Sequence, residues 1–490
     1  MNRDVVLVID QGTSATKGFI FDNLLNLLHT ERIDHRVNRP HPGWVESDAK
    51  TIARACKTVL KSLLETCNSL RLTPAAAGMA FQRSTFLFWT KDTAEPLTPA
   101  LSWQDTRSAP VVSRLKSHAH TVQQITGIPL SPHFGGPKFA FCTGEDPHLK
   151  SRVVSGDVFF GPLSAFVTHT LTGWAVVDES IAGRSLLIGL KERRWNGSLL
   201  NLFDVPRHCL PSPVPTCHPF GEVRTSSGTL PLTCVIGDQQ ASLVGLKGVH
   251  EGEMALNLGT SGSVLVNSGP RPKVVPFILA SVLYSFENEC RFLLEGTING
   301  VGSLFQWLET SLDIPHRRLD WENRCRTPTR GILVPGINGI AAPYWTGEFE
   351  TAFIDLSPHD DPDGAVRAAM ESIGFLVADI CQVLHEEGEI PLTDMVASGG
   401  FSRPVLLQFI ADLLDRPVWS SKGRDMTALG VARLVIHQLR GTSLNTGAGV
   451  RDRKFLPAMP AEERAERLAR WQKGLRSLGI GRTLPEKKGG

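Results

Sequence analysis

The chain lacks any excess of charge. Lys and Arg number 51 against 49 Asp and Glu, a formal net charge of +2 over 490 residues, which offers no basic face and makes nucleic acid an unexpected partner. It also lacks a C-x-x-C pair. Its nine cysteines are scattered at 56, 67, 142, 209, 217, 234, 290, 325 and 381, so reduced, mostly packed thiols are expected, which suits a cytoplasm. No apolar run reaches the roughly 20 residues needed to cross a bilayer. The opening MNRDVVLVIDQG enters a strand without a cleavable signal, so an intracellular, cytoplasmic protein without a membrane partner is expected.

With 41% apolar and 20% charged residues, the composition is that of a globular chain. Its length is too great for one ordinary core, and two domains of roughly 240 residues suit the size rule. We place them at 1–248 and 249–480, followed by a disordered tail at 481–490.

The organising stretch is VVLVIDQGTSATKGFIFD, residues 5–22. Val5 to Ile9 and Gly18 to Phe21 are apolar runs on either side of a polar turn, which reads as a buried hairpin. The tip offers Asp10, then Gly12, Thr13 and Ser14, then Lys17. Glycine lets the main chain approach oxygen atoms, hydroxyls and amides donate to them, and an acid can orient Mg²⁺ through its water shell, so this tip can hold a polyphosphate. An ordinary strand turn uses Asp and Gly as well. A second copy tips the balance: MALNLGTSGSVLVN, residues 254–267, again flanks a turn, Gly259-Thr260-Ser261-Gly262, with two apolar runs. Two such clamps half a chain apart suggest a nucleotide held between related domains.

Between the clamps, Ser47-Asp48 starts a helix whose Ile52, Cys56, Val59, Leu60, Leu63 and Leu64 share one face. Ala75–Phe81 and Thr85–Thr90 read as strands joined by the polar triplet Gln82-Arg83-Ser84. The block Ser102 to Arg107 sets Trp103 beside an amide, an acid and a cation, the means by which a ring covers sugar C–H faces while polar groups read hydroxyls. A core Trp beside a surface ion pair gives the same string. Residues 127–138 read as a loop, 163–170 as a short helix and most of 185–232 as Pro-rich connection. Thr233–Ile236 is then a strand that delivers Asp238 and Gln239 to the start of a helix, Ala241–Leu246. An acid there is either a cap or a group held rigidly for chemistry. Further on, Pro362–Leu384, Val405–Leu414, Thr427–Leu439 and Ala461–Leu478 read as helices, with Val396–Gly399 as a strand.

Seven ordered segments together resemble the FGGY carbohydrate kinases, and most nearly the glycerol kinases. They are VIDQGTSATK at 8–17, SWQDTR at 102–107, GDQQASLVG at 237–245, NLGTSG at 257–262, VPGINGIAAPYW at 334–345, SGGFSR at 398–403 and TALGVA at 427–432. The resemblance implies an α/β fold of two ribonuclease-H-like domains, of the actin, hexokinase and heat-shock ATPase superfamily, with a cleft between them. It also implies transfer of the γ-phosphoryl group of ATP to a terminal hydroxyl of a small polyol or sugar, with Mg²⁺ as the metal and a homodimer as one assembly open to the chain. Asp238 matches the family's base, and Asp10, with Asp238, its metal-orienting acids. Gly12, Thr13, Ser14 and Lys17 fall on the first phosphate turn, Gly259 and Thr260 on the second. Gly302, Gln306, Gly399, Gly400 and Arg403 match the adenosine side.

The substrate side departs from the glycerol kinases. Gln82, Arg83, Trp103, Asp238 and Gln239 match the pocket, but Ser84 stands where a Glu is expected, His133 where a Tyr is, and Ser263 where a Phe is. A pocket built for hydroxyls discriminates by leaving wrong groups unpaired. A longer polyol or a ketose is therefore favoured over glycerol. Glycerol itself, xylulose or ribulose, and a catalytically weak sugar-sensing role are the alternatives.

Overall fold

The computed structural model describes residues 4–246, 250–313, 324–325, 329–423, 425–444 and 450–482. The opening hairpin forms as expected: β1 (Asp4–Gln11) runs antiparallel to β2 (Ala15–Asp22), with Asp10 opposite Lys17. The run Val5–Ile9 is apolar without alternation because both its faces are covered. Val5, Leu7 and Ile9 enter the core that helix α1 (Ala49–Leu70) covers, while Val6 and Val8 enter a cluster on the other face. β3 (Leu27–Asp34) lies outside β2. β4 (Thr73–Phe81) runs parallel to β1, and the hairpin of β5 (Glu222–Thr225) and β6 (Gly228–Gly237) completes a six-stranded sheet. α1 starts on Asp48, whose carboxylate accepts the amides of Lys50 and Thr51 and so satisfies two donors the helix cannot.

The second sheet repeats this wiring. β7 (Met254–Leu258) and β8 (Gly262–Gly269) form the hairpin, and β9 (Leu279–Ser285) and β10 (Cys290–Ile298) extend it antiparallel. Helix α3 (Gly302–Leu312) follows β10, and α4 (Pro362–Glu386) covers one face. β11 (Met395–Ser398) adds parallel to β7, and β12 (Val418–Ser421) parallel to β11, with α5 (Pro404–Leu414) between them in sequence.

Two helices join the lobes. α2 (Asp238–Leu246) and α6 (Met426–Arg440) lie in one cluster with Val6 and Val8 of the first sheet and with Ala255, Leu265 and Leu293 of the second. They touch through glycine: a methyl on Gly245 would strike the Met426 carbonyl, and one on Gly430 the Ala241 carbonyl. Beyond them, β13 (Arg451–Phe455) closes the second sheet. α7 (Ala461–Ser477) stacks Trp471 on Phe375 and donates its indole N–H to buried Asp379 at 2.7 Å.

Two expectations need correction. Residues 135–138, read as loop, begin a helix, Gly135–Glu145. Gly135, Gly136 and Pro137 disguise it, and the glycines are there because Cβ atoms would collide with the rings of Phe86 and Phe203. Within 185–232, the presumed connection, lie a capped helix, Gly197–Leu202, the strand β5 and the first part of β6, which starts five residues before Thr233. α4 is long and apolar enough by composition to cross a bilayer, but 83% of its apolar window is buried within the fold, as in a core helix. Glu371 and Asp379 interrupt that window and hide it from a count of unbroken apolar residues. The expected boundary near Gly248 and the tail from residue 483 lie outside the described residues.

Candidate active site

The first turn is braced by side chains. Gly12 N–H donates to the Ala15 carbonyl at 2.9 Å, closing the tip. Thr13 Oγ1 donates to Gln82 Oε1 at 3.3 Å and accepts the Trp103 indole N–H at 2.9 Å. Gln82 Nε2 donates to Gln11 Oε1, and Gln11 Nε2 to the Gly12 carbonyl. Gln82 is thus committed to the turn's shape. Ser14 is exposed, and its carbonyl accepts the His35 amide. Lys17 Nζ lies 3.4 Å from Asp425 Oδ1, with both side chains about one-third exposed, at 36% and 33%.

Asp10 ends the apolar part of β1. Desolvation, and then the charge of Asp238, push its carboxyl up to about 7, with Lys17 opposing and Asp425 adding to the rise. Asp238 opens α2, where its Oδ1 accepts the Gln239 amide at 2.7 Å and stands 3.4 Å from Arg83 Nε. Burial raises its pKa, and Arg83 is the strongest group opposing that rise. Thr427, in the first turn of α6, reaches the Asp238 carbonyl at 3.4 Å. Two helix N-termini therefore meet beside the acids, and their dipoles suit an anion.

The substrate-side residues gather around Trp103, which is 38% exposed. Its carbonyl lies 2.9 Å from His133 Nδ1, so that nitrogen carries the proton and Nε2 is left as an acceptor. Burial lowers the pKa of this ring, and Lys138 adds to the effect. Ser84 is buried at φ +61°, and its carbonyl accepts from Lys138 Nζ at 2.8 Å. Ser263 is buried on β8, opposite Asn257. Gln239 Oε1 accepts Asn257 Nδ2 at 2.7 Å, which ties α2 to the second sheet. Arg83, expected to read hydroxyls, gives both its terminal nitrogens to Glu295 Oε2 and Oε1, at 2.6 and 2.8 Å.

The second turn is held by main chain. Gly302 N–H donates to the Gly259 carbonyl at 3.0 Å, and the Val301 and Ser303 amides both donate to that of Thr260 at 3.2 Å. Gly399, at φ +101°, packs on the Leu258 backbone where a Cβ could not fit, and Phe401 N–H donates to the Leu258 carbonyl. A Cβ on Gly302 would meet the Phe401 ring, whereas Gly400 faces open space. Gln306 on α3 and Arg403 at the start of α5 are exposed.

Four residues beside these were missed. Glu295 and Lys138 are charged residues fully buried among apolar neighbours, a pattern visible as a lone acid in RFLLEGTI and a lone cation before FAF. Lys138 Nζ donates to the carbonyls of Ser84, Ser102 and Leu101. It fixes the two loops that carry Arg83 and Trp103, and burial pushes its pKa down to about 7. Arg184 donates to Glu295 Oε2 at 2.6 Å. Asp425 had no sequence signal beyond its place before a helix.

Half-buried acids beside a helix N-terminus, together with two Gly-Thr-Ser turns, are the equipment of a phosphotransferase, which neutralises and positions phosphate more than it reacts with it. The chain belongs to the FGGY family of carbohydrate kinases: the family's N-terminal domain matches residues 5–245 and its C-terminal domain residues 254–439. It is a sugar or polyol kinase, and ATP use follows from the family. A glycerol kinase of Acidiphilium cryptum is 33% identical over 486 residues, covering 95% of this chain and 97% of the relative. One from Rhizorhabdus wittichii is 32% identical over 490 residues, covering 96% of each. Among solved structures, Plasmodium falciparum glycerol kinase with ADP superposes at TM-score 0.90 with 25% identity, covering 97% of this chain and 98% of that one. A ligand-bound xylulose kinase from Lactobacillus acidophilus shares the fold at TM-score 0.85 and 21% identity, covering 98% and 99%.

Proposed function

We propose that the chain transfers the γ-phosphoryl group of ATP to a terminal hydroxyl of a polyol or ketose longer than glycerol, with Asp238 accepting the hydroxyl proton. The observation that carries this reading is the setting of Asp238. It stands at a helix N-terminus with its side chain 28% exposed, its pKa raised by burial towards working pH, and Arg83 alongside to favour its ionised form.

Mg²⁺ fits the donors on the same wall. Asp238 and Asp425 both raise the proton affinity of Asp10, a conflict that a divalent cation relieves. Among the described residues no group of three His, Cys, Asp or Glu could hold a metal by itself. Asp10 and Asp238 would therefore hold Mg²⁺ through one or two carboxylates, with water and phosphate oxygens completing its shell. The ion would neutralise the transferred phosphate's charge. Thr13 and Thr260 lie on the two turns that would grip the phosphates, and hinge closure of the lobes would exclude competing water.

The preference for a longer acceptor rests on Ser84 Oγ, Ser263 Oγ and His133 Nε2, three groups that have no hydrogen-bond partner among the described residues. Glycerol is the specific rival, because the curated relatives at 30–33% identity are glycerol kinases. ATP consumption over glycerol, erythritol, xylitol, ribulose, xylulose and heptuloses decides between them. Turnover with a four-carbon or longer acceptor at a kcat/KM at least about tenfold above glycerol is expected, the range that pocket complementarity supplies. Glycerol as the best substrate would overturn the choice of acceptor, and no acceleration by any of them would overturn the kinase reading of the site.

A further inference from the structure

The buried cluster around Glu295 is not used by the chemistry proposed above, yet it touches the group that chemistry depends on. Glu295 lies on β10 in the second lobe and is 1% exposed. Its partners, Arg83 after β4 and Arg184, belong to the first lobe. Burial by itself pushes the Glu295 carboxyl up, but the charges of Arg83 and Arg184 outweigh it and hold the group down to about 2.

The grip on Arg83 comes from several sides. Glu295 takes Nη1 and Nη2 in a two-pronged bond, and Gln240 Oε1 lies 3.4 Å from Nη1. Gln240 in turn donates to the Ser180 carbonyl of the first lobe and to Ser281 and Val282 of the second. The arginine stem passes over Gly237, where a Cβ would sit 2.9 Å from Arg83 Cδ. Of five N–H donors, Nε and one Nη2 hydrogen remain, and Nε faces Asp238 Oδ1. A buried ion pair stabilises little compared with apolar packing. Its geometry, by contrast, leaves Arg83 one orientation.

We infer that Glu295 is a positioning residue supplied by the second lobe, which with Arg184 fixes Arg83 beside Asp238, so that the acceptor site is complete only when the two lobes are in register. The inference rests on the proposed role of Asp238. Glu295→Gln in the full-length enzyme should lower kcat/KM for the acceptor about 100-fold, the loss typical of breaking one partner of a buried charged pair, while KM for ATP stays within about twofold. In an Arg83→Gln background the same substitution should cost less than about threefold, because residues acting through one another are not additive. An equal loss in both backgrounds, an equal rise in both KM values, or a fall in melting temperature with unchanged kinetics would overturn it.

Arg184→Lys, which keeps the charge and loses the fixed fork, is the gentler probe should Glu295→Gln fail to fold, with about a tenfold loss expected. If no acceptor supports turnover in the wild type, it is the functional reading that has failed. The bridge is then judged by melting: Arg83→Gln and Glu295→Gln should each lower the midpoint and the double variant by less than the sum of the two, whereas additive shifts refute it.

Discussion

In both lobes an antiparallel hairpin ends in a Gly-Thr-Ser turn with a parallel strand beside its first arm, yet the two turns are held by different means. Side chains ring the first, where Gln11, Gln82 and Trp103 brace Thr13, while Asp10, Lys17 and Asp425 set the charge. Amides of Gly302, Ser303 and Phe401 hold the second, and Asn257 stands two residues before its glycine, as Asp10 does before Gly12. The same backbone frame can thus be ringed by charged and polar side chains or held by main chain alone, and the residues around each turn decide which. Glu295, a buried charge of the second lobe near the site, reaches across to the first lobe rather than towards its own turn.

The comparison is most easily broken at Asp238. If the first lobe holds the chemistry, Asp238→Asn should lower kcat about 10³-fold with KM for ATP little changed, within the range for losing a general base. A loss under tenfold in steady-state assays would move the chemistry elsewhere. Next in size is Gly430→Ala, at the seam on which both lobes lean. Its methyl meets the Ala241 carbonyl, and because main chain cannot step aside a loss of about 3 kcal/mol is expected in thermal or denaturant unfolding, the upper end of overpacking costs.

The buried acids respond to pH with opposite sign. Asp379, inside the second lobe, is raised from 3.8 to about 6 by burial, with hydrogen bonds from Trp471, Tyr344 and Gln472 opposing. Its folded pKa exceeds its unfolded one, so its contribution is fully present below 3.8 and is lost as pH rises through about 6. Asp379→Asn should flatten that slope, worth about 3 kcal/mol, in melts taken across the interval. Glu295 is depressed, so its contribution is present above 4.5 and disappears as pH falls towards about 2. The smallest effect sharpens the comparison: Thr260→Ala, on the main-chain-held turn, should raise KM for ATP by about three- to tenfold, the cost of one hydrogen bond, and leave kcat alone. A kcat loss equal to that of Thr13→Ala would erase the distinction between the turns.

Local pattern made the frame legible. Unbroken apolar runs gave the two hairpins, helical spacing gave α1 and α4, and the Thr233–Leu246 stretch gave a strand feeding Asp238 into a helix. What stayed hidden depends on partners far away in the chain. Nothing near Glu295 says that Arg83, 212 residues earlier, will meet it. The helix at Gly135 was masked because its glycines answer to Phe86 and Phe203, not to helix propensity. Lys138 shows in the sequence only as a lone cation before FAF, and the three carbonyls around it come from chain 36 to 54 residues away.

The seam helix α6 has one more consequence, for synthesis. Val431 and Val435 cover Gly78 of β4, and the helix shares its cluster with Val6 and Val8, yet α6 leaves the ribosome some 180 residues after α2. At about 5–20 residues per second the nascent first lobe waits on the order of ten seconds or more with that greasy face bare. Such a chain has reason to engage chaperones while it is being translated, and cutting the gene between the lobes would yield a fragment that never receives its last helix.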